Sequence, residues 1–301
     1  MRVSRLAYGC WRLAGSEGAA PEPTSAAGHR AIHAAVDAGY TLFDLADIYG
    51  GGRCEEIMGE VLRATPGLRD QLVLATKCGI RPGGQPVDMP GRYDFSAEHL
   101  QRSVEGSLRR LGVEAVDILM LHRPDYLMDP SEVARAFDQL HTAGKVREFG
   151  VSNFRPTQVS LLQGYLPRRL CVHQVEISLL QLAALENGTL DQCLAAQLTP
   201  MAWSPLAGGL LGDRVHGLLP GQRGYQPAAV VVELDAQAAR LGVSRVALAY
   251  LWLLKHPSRI QPVVGSMDPK AIGEIAASIG NPLTRDDWYR LLVAARGEAL
   301  P

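Results

Sequence analysis

Four side chains with exchangeable protons stand where apolar runs of the sequence end. Leu42-Phe43 gives way to Asp44 and then Tyr49, Ala75-Thr76 to Lys77, and Met120-Leu121 to His122. An acid, a phenol, an amine and an imidazole thus follow three consecutive runs. Taken singly each has an ordinary explanation: an Asp caps a helix, a Tyr-Gly pair makes a turn, and a strand-end Lys or His is solvated. Delivered together they suit proton transfer at a reacting oxygen. A lysine in such a set has two uses. It forms a Schiff base with a carbonyl substrate if its pKa is depressed, or it stays protonated beside a carboxylate and acts as a charge. Asp44 favours the second.

The groups converge only if the runs are strands of one sheet with their ends on the same side. Short apolar runs at Arg5–Tyr8, Thr41–Asp44, Leu72–Lys77, Val116–His122, Arg147–Val151, Val172–Gln174, Pro200–Trp203 and Gln261–Val264 alternate with amphipathic segments, the pattern of a parallel sheet with helical crossovers. Helical spacing falls at Ala26–Ala38, Cys54–Leu62, Ala97–Leu111, Pro130–Ala143, Pro156–Tyr165, Thr189–Ala196, Ala228–Leu241 and Arg245–Lys255. Thr284–Gly297, with Trp288, Leu291 and Leu292 on one face, reads as a terminal helix packed on the rest. Eight strand–helix units predict a (β/α)8 TIM barrel, α/β in class, in which chemistry sits at the C-terminal strand ends. No linker or composition break divides the 301 residues, so 1–301 reads as one barrel domain. The first βα turn, Gly9-Cys10-Trp11-Arg12-Leu13-Ala14-Gly15, lacks the second glycine of a dinucleotide fingerprint.

Composition narrows the function. Thirty Lys+Arg against 31 Asp+Glu leave a net charge of −1, so no basic field exists for nucleic acid or an anionic membrane. Hydrophobic residues at 47% and charged residues at 20% are those of a globular protein with a large core. Five cysteines without a close pair suggest neither disulfides nor a zinc site, and no signal peptide or membrane span is legible, so a cytoplasmic location is expected. Oligomeric state leaves no mark in the sequence.

Phe43-Asp44-x-Ala46-x-x-Tyr49-Gly50, Thr76-Lys77, Leu121-His122-Arg123-Pro124-Asp125 and Gly150-Val151-Ser152-Asn153-Phe154 resemble the aldo-keto reductase superfamily over nearly the whole chain. The resemblance implies an NAD(P)H-dependent oxidoreductase that reduces a small aldehyde or ketone, with Asp44, Tyr49, Lys77 and His122 in the four catalytic positions. The physical account agrees. Hydride addition to a carbonyl builds charge on its oxygen; Tyr49 supplies the proton there, Lys77 lowers the phenol's pKa, Asp44 holds Lys77, and His122 orients the carbonyl. Hydride chemistry implies a nicotinamide cofactor, NADPH or NADH. By the same resemblance Ser152, Asn153 and Gln174 bind the carboxamide and Trp203 stacks on the ring. Ser204, Pro205, Leu206 and Gly208 line the approach of the pyrophosphate, and Gly265, Ser266 and Glu274 serve the adenosine end.

That end departs from the family. Asp268, Ala271 and Ile275 stand where many NADPH-using members carry Lys, Arg and Asn, so the contacts to the 2′-phosphate look weakened and use of NADH is expected; Lys270 is the competing feature. Relatives also place a short hairpin before strand one, which is missing here, so a thinner barrel floor is expected. Trp11 and Tyr126 are candidate pocket walls. The Pro- and Gly-rich loop Arg81–Phe95 is a candidate lid. Two other functions fit parts of the pattern: a cofactor-binding regulatory subunit with little turnover, and a class I aldolase-type enzyme using Lys77.

Overall fold

The computed structural model describes residues 2–15, 25–84, 87–215, 218–280 and 283–301. Eight strands lie in parallel and in chain order: β1 (Ala7–Gly9), β2 (Leu42–Asp44), β3 (Val73–Cys78), β4 (Val116–Leu121), β5 (Val146–Ser152), β6 (Val172–Glu176), β7 (Thr199–Trp203) and β8 (Gln261–Val264). β1 pairs with both β2 and β8, which closes the ring. These are the expected strands, shifted by a residue or two at their ends. They are apolar because a parallel strand in a barrel is covered on both faces; β4 is buried at every position.

Inside the ring Ala7, Leu42, Ala75, Ile118, Met120, Val172, Met201 and Val263 pack as one cluster. Two glycines make room for them. A Cβ on Gly150 would lie 2.3 Å from Val172 Cγ1, and one on Gly9 would lie 2.7 Å from Val263 Cγ1. The interior is a packed core, so a ligand has access only at the mouth.

The main helices are α1 (Ser25–Asp37), α2 (Arg53–Ala64), α3 (Ala97–Leu111), α4 (Pro130–Thr142), α5 (Pro156–Gln163), α6 (Thr189–Ala196), α7 (Ala228–Leu241), α8 (Arg245–Leu254), α9 (Pro269–Ser278) and α10 (Arg285–Arg296). Their ends follow local chemistry. Ser96 Oγ accepts the His99 N–H at the start of α3, and Gly112, at φ 68°, turns the chain out at its end. α10 packs on α8 as expected: the Trp252 and Trp288 rings stack at 5.2 Å, and each indole N–H donates to the other residue's carbonyl.

Three details differ from expectation. The 81–95 loop contains an antiparallel pair, Ile80–Arg81 with Arg92–Tyr93; residues 85 and 86 of the candidate lid lie outside the described residues. Gly265-Ser266, expected to begin the last crossover helix, stand ahead of it: the helix starts at Pro269, because Asp268 caps it and Pro269 suits its first turn. The floor is tied by the segment before β1: Gln261 Nε2 donates to Ser4 O at 2.7 Å, and Ser4 N–H to Thr41 Oγ1 at 2.8 Å.

Candidate functional site

Register brings the polar strand ends together. Asp44 ends β2 opposite Ala75 of β3, and Lys77 lies two residues further along β3, opposite Met120 of β4. Lys77 is completely buried, and its ammonium meets three oxygens: Asp44 Oδ1 at 2.8 Å, Leu45 O at 2.8 Å and Tyr49 Oη at 2.9 Å. An ammonium has three N–H donors and no acceptor. The Tyr49 oxygen therefore accepts from Lys77 and keeps its own proton for another partner.

The turn after β2 carries Tyr49 back over β3. Leu45 N–H donates to Ala75 O, Asp47 N–H to Lys77 O, and Tyr49 N–H to Ala46 O. Gly50 and Gly51 follow at φ 56° and 63°, a left-handed pair that starts α2 immediately after the phenol. The His122 ring meets the Tyr49 ring edge to face at 5.8 Å between centroids. All four expected catalytic groups are thus brought to one place.

Their charge states follow from burial and neighbours. Burial pulls the Lys77 ammonium down, but Asp44 and Tyr49 outweigh it and the net shift is upward. Burial pushes the Tyr49 phenol up; Lys77 pulls it back only in part, so the net direction is opposite to the lowering expected from Lys77 alone. His122 is pushed well below its ordinary value by burial first, then by Lys77 and Arg123. At neutral pH the site holds a charged amine, a protonated phenol and a neutral imidazole.

Across the mouth, Ser152 ends β5 opposite Gln174 of β6. Gln174 is buried, and its Nε2 finds no partner among the described residues. An orphaned amide donor at a strand end is what a ligand carbonyl needs. Asn153, at φ 62°, is already engaged: Nδ2 donates to His122 O at 3.1 Å and to Ser152 Oγ at 2.9 Å, and Oδ1 accepts the Trp203 indole N–H at 2.9 Å. It fixes Trp203 at the end of β7, while Gln174 holds the free donor. The residues fit the amide and flat ring of a nicotinamide.

The remaining expected residues are placed less uniformly. In the loop after β7, Ser204 and Ala207 both have φ of 49° and Gly208 has 69°, with Pro205 buried and Leu206 half-buried. The Ala207 and Gly209 N–H groups close turns onto Ser204 O at 2.8 Å and Leu206 O at 2.9 Å, so the backbone cradle expected there is smaller. Gly265 O accepts from Arg12 Nη1 at 3.0 Å, and Ser266 O from the Tyr8 phenol at 2.9 Å. Asp268 Oδ1 accepts the Lys270 N–H at 3.0 Å, which explains its presence as a helix cap. Lys270 and Glu274 pair at 3.7 Å on the outer face of α9, with side chains 81% and 61% exposed. Trp11 is 46% exposed; Tyr126 is 88% exposed and meets only the Tyr93 ring, at 6.4 Å, among described aromatic contacts.

Sequence reasoning missed Glu176. β6 runs two residues past Gln174, and Glu176 Oε1 accepts from Gln222 Nε2 at 2.7 Å and from the Tyr225 phenol at 3.2 Å, pinning the long loop after β7 across the end of β6. Burial pushes this carboxyl up against the pull of those two donors. The available signal was a carboxylate two residues beyond a strand-end amide. Among the described residues no cluster of His, Cys, Asp and Glu could hold a metal, and no helix is long and apolar enough to cross a membrane.

Comparison with known proteins accords with this geometry. The family model for aldo/keto reductases matches residues 5–293. A 6-dehydroglucose reductase of Novosphingobium aromaticivorans is 44% identical, over 99% of this chain and 94% of its own length. An oxidoreductase of Escherichia coli is 38% identical, over 99% of this chain and 95% of its own. The solved glycerol dehydrogenase of Gluconobacter oxydans superposes with a TM-score of 0.83 at 27% identity, covering 99% of this chain and 94% of that one.

Proposed function

The chain belongs to the aldo/keto reductase family and is an NAD(P)H-dependent carbonyl-reducing oxidoreductase, and on that premise we propose that Tyr49 is its proton donor and that its substrate is the aldehyde of a small polyhydroxylated molecule. One observation carries the assignment of the acid: the Lys77 ammonium is spent on Asp44, Leu45 O and Tyr49 Oη, which leaves the phenolic proton as the one presented outward. The nicotinamide supplies the hydride when bound. Gln174 Nε2 and Ser152 Oγ would hold its amide, and Trp203, fixed by Asn153, would back its ring.

Each protein group then has a defined task. Negative charge develops on the carbonyl oxygen, and Tyr49 donates a proton to it. Lys77 favours the resulting phenolate electrostatically, since a buried ammonium at 2.9 Å acts in a low dielectric. Asp44 keeps that ammonium charged. His122, neutral, donates a hydrogen bond that aims the carbonyl. A Schiff base is disfavoured by the same contacts, because Asp44 and Tyr49 hold Lys77 protonated.

The sugar-aldehyde reading is carried over from the 6-dehydroglucose reductase at 44% identity. Steady-state oxidation of NADPH and NADH with simple aliphatic aldehydes and with a hexose oxidised to the aldehyde at C6 tests it. The sugar aldehyde should show the higher kcat/KM, and Tyr49→Phe should lower turnover by about 10²–10⁴. Equal slow rates in both proteins would instead favour a cofactor-binding regulatory role.

The cofactor reading follows from α9. Asp268 is a cap, Ala271 and Ile275 carry no charge, and Lys270 leans to Glu274. We infer that NADH is accepted as well as NADPH. In a fluorescence titration the two dissociation constants should agree within about tenfold, a difference of about 1.4 kcal/mol; NADPH binding more tightly than that would sink the inference.

A further inference from the structure

Behind the reactive groups lie two acids that the chemistry above does not use, Glu55 fully buried and Asp47 half-buried. Asp47 stands two residues before Tyr49, in the turn that carries the phenol. Its backbone N–H donates to Lys77 O at 3.0 Å, so the turn is fastened to β3 at the catalytic lysine. Its carboxyl points the other way, to α3, where Oδ2 accepts a hydrogen bond from the buried Ser103 hydroxyl. Oδ1 is buried and without a partner among the described residues.

The groups facing Asp47 come from three elements: Cys78 of β3, Glu55 of α2, and Ser103 and Arg110 of α3. Glu55 is completely buried and takes the guanidinium for itself. Its Oε1 accepts from Thr76 Oγ1 at 2.6 Å and its Oε2 from Arg110 Nε at 2.7 Å. Asp47 is left with the Ser103 hydroxyl and the backbone N–H of Ile48. Burial, with Glu55 adding to it, pushes the Asp47 carboxyl up to about 6 against the pull of Ser103 and Arg110. A half-buried carboxylate with one buried, orphaned oxygen costs stability at neutral pH, so a contribution to the resting fold does not account for it.

We propose that Asp47 is a positioning residue for Tyr49: through Ser103 it ties the turn that carries the phenol to α3, and that tie holds the phenol against Lys77. The inference rests on the reading of Tyr49 as the proton donor. A hydrogen bond to an ionised carboxylate is stronger than one to a neutral carboxyl, so the tie is firm above the titration and weak below it. Asp47 touches no substrate. Its effect therefore falls on turnover and not on binding.

Three variants test this with the cofactor-loaded enzyme and the best aldehyde of the panel. Asp47→Ala and Ser103→Ala sever the tie from either side, and each should lower kcat on the order of 10- to 100-fold with the dissociation constant of the cofactor unchanged. Asp47→Asn keeps a neutral acceptor for Ser103. It should sit at the lower plateau that the wild type reaches in acid, above Asp47→Ala, and lack the wild-type inflection near pH 6. Should Asp47→Ala fail to fold, Ser103→Ala and Asp47→Asn decide. Ser103→Ala keeping kcat within about twofold of wild type, or the inflection persisting in Asp47→Asn, overturns the proposal. Tyr49→Phe separates the two layers. Wild-type turnover in that variant removes the reading of the acid itself; lost turnover there beside normal turnover in Ser103→Ala removes only Asp47.

Discussion

At the scale of single residues, the role proposed for Lys77 in the chemistry comes with a second task, holding part of the fold. Its burial is tolerated because the Asp44 carboxylate at 2.8 Å offsets its charge while a carbonyl and a phenol accept from it. Lys77→Met should therefore fail twice. Turnover should fall by several orders of magnitude, and stability should drop by about 3–5 kcal/mol because Asp44 is left buried and unpaired. The pair Asp44→Asn with Lys77→Met removes both charges, so urea unfolding should show most of that stability restored while activity stays lost. A double variant as unstable as the single one would mean that Lys77 stabilises by packing its methylenes and not by pairing. Tyr49→Phe leaves every buried charge paired and should unfold within about 1–1.5 kcal/mol of wild type.

At the scale of elements, the site depends on how closely α2 and α3 approach each other outside β3. A Cβ on Gly59 of α2 would lie 2.3 Å from Arg110 O and 2.8 Å from Leu111 O, both backbone atoms that cannot step aside. Gly59→Ala should push the helices apart, at a cost of about 1–3 kcal/mol, and should strain the Glu55–Arg110 pair at 2.7 Å. Turnover should fall with stability, measured as kcat beside the urea midpoint, because α2 begins four residues after Tyr49 and Thr76 of the same network adjoins Lys77. Unchanged kcat in a destabilised Gly59→Ala would show that the network is structural only. This close approach was not legible in the sequence, where Gly59 is one small residue in an amphipathic helix. The eight strands were legible because each is a short apolar run between amphipathic segments, and the four proposed catalytic residues were legible because they end or closely follow three of those runs. The Asn153 to Trp203 bond and the Glu176 to Gln222 bond were not. Each joins side chains 46 to 50 positions apart, and nothing local in either segment announces its partner. Asp47 stood in full view inside a recognised motif, but its task depends on a serine 56 positions away.

At the scale of the whole molecule, buried titratable groups of opposite sign shape how stability varies with pH. His173 lies within β6, fully buried, both ring nitrogens without partners among the described residues, and burial pulls its pKa down from 6.5 to about 4. An unfolded chain binds this proton near pH 6.5 while the folded one refuses it until about pH 4, so acidification through that window draws the equilibrium toward the unfolded state. By pH 5 the loss is about 2 kcal/mol, and His122, shifted the same way, adds to it. Asp47 works in the other direction. Its folded pKa of about 6 lies above the ordinary 3.8, so the folded state takes up a proton first and regains about 1–1.5 kcal/mol between pH 7.5 and 5. The wild type should thus lose stability over that range, though by less than the two histidines alone would cost, because Asp47 offsets part of the loss. His173→Leu removes one side of the balance. Urea unfolding of that variant at about pH 7.5 and pH 5 should show its stability change on acidification displaced by about 2 kcal/mol toward stabilisation relative to wild type. Identical pH dependence in the two proteins would mean that water or a rearranged partner already satisfies the imidazole within the barrel wall.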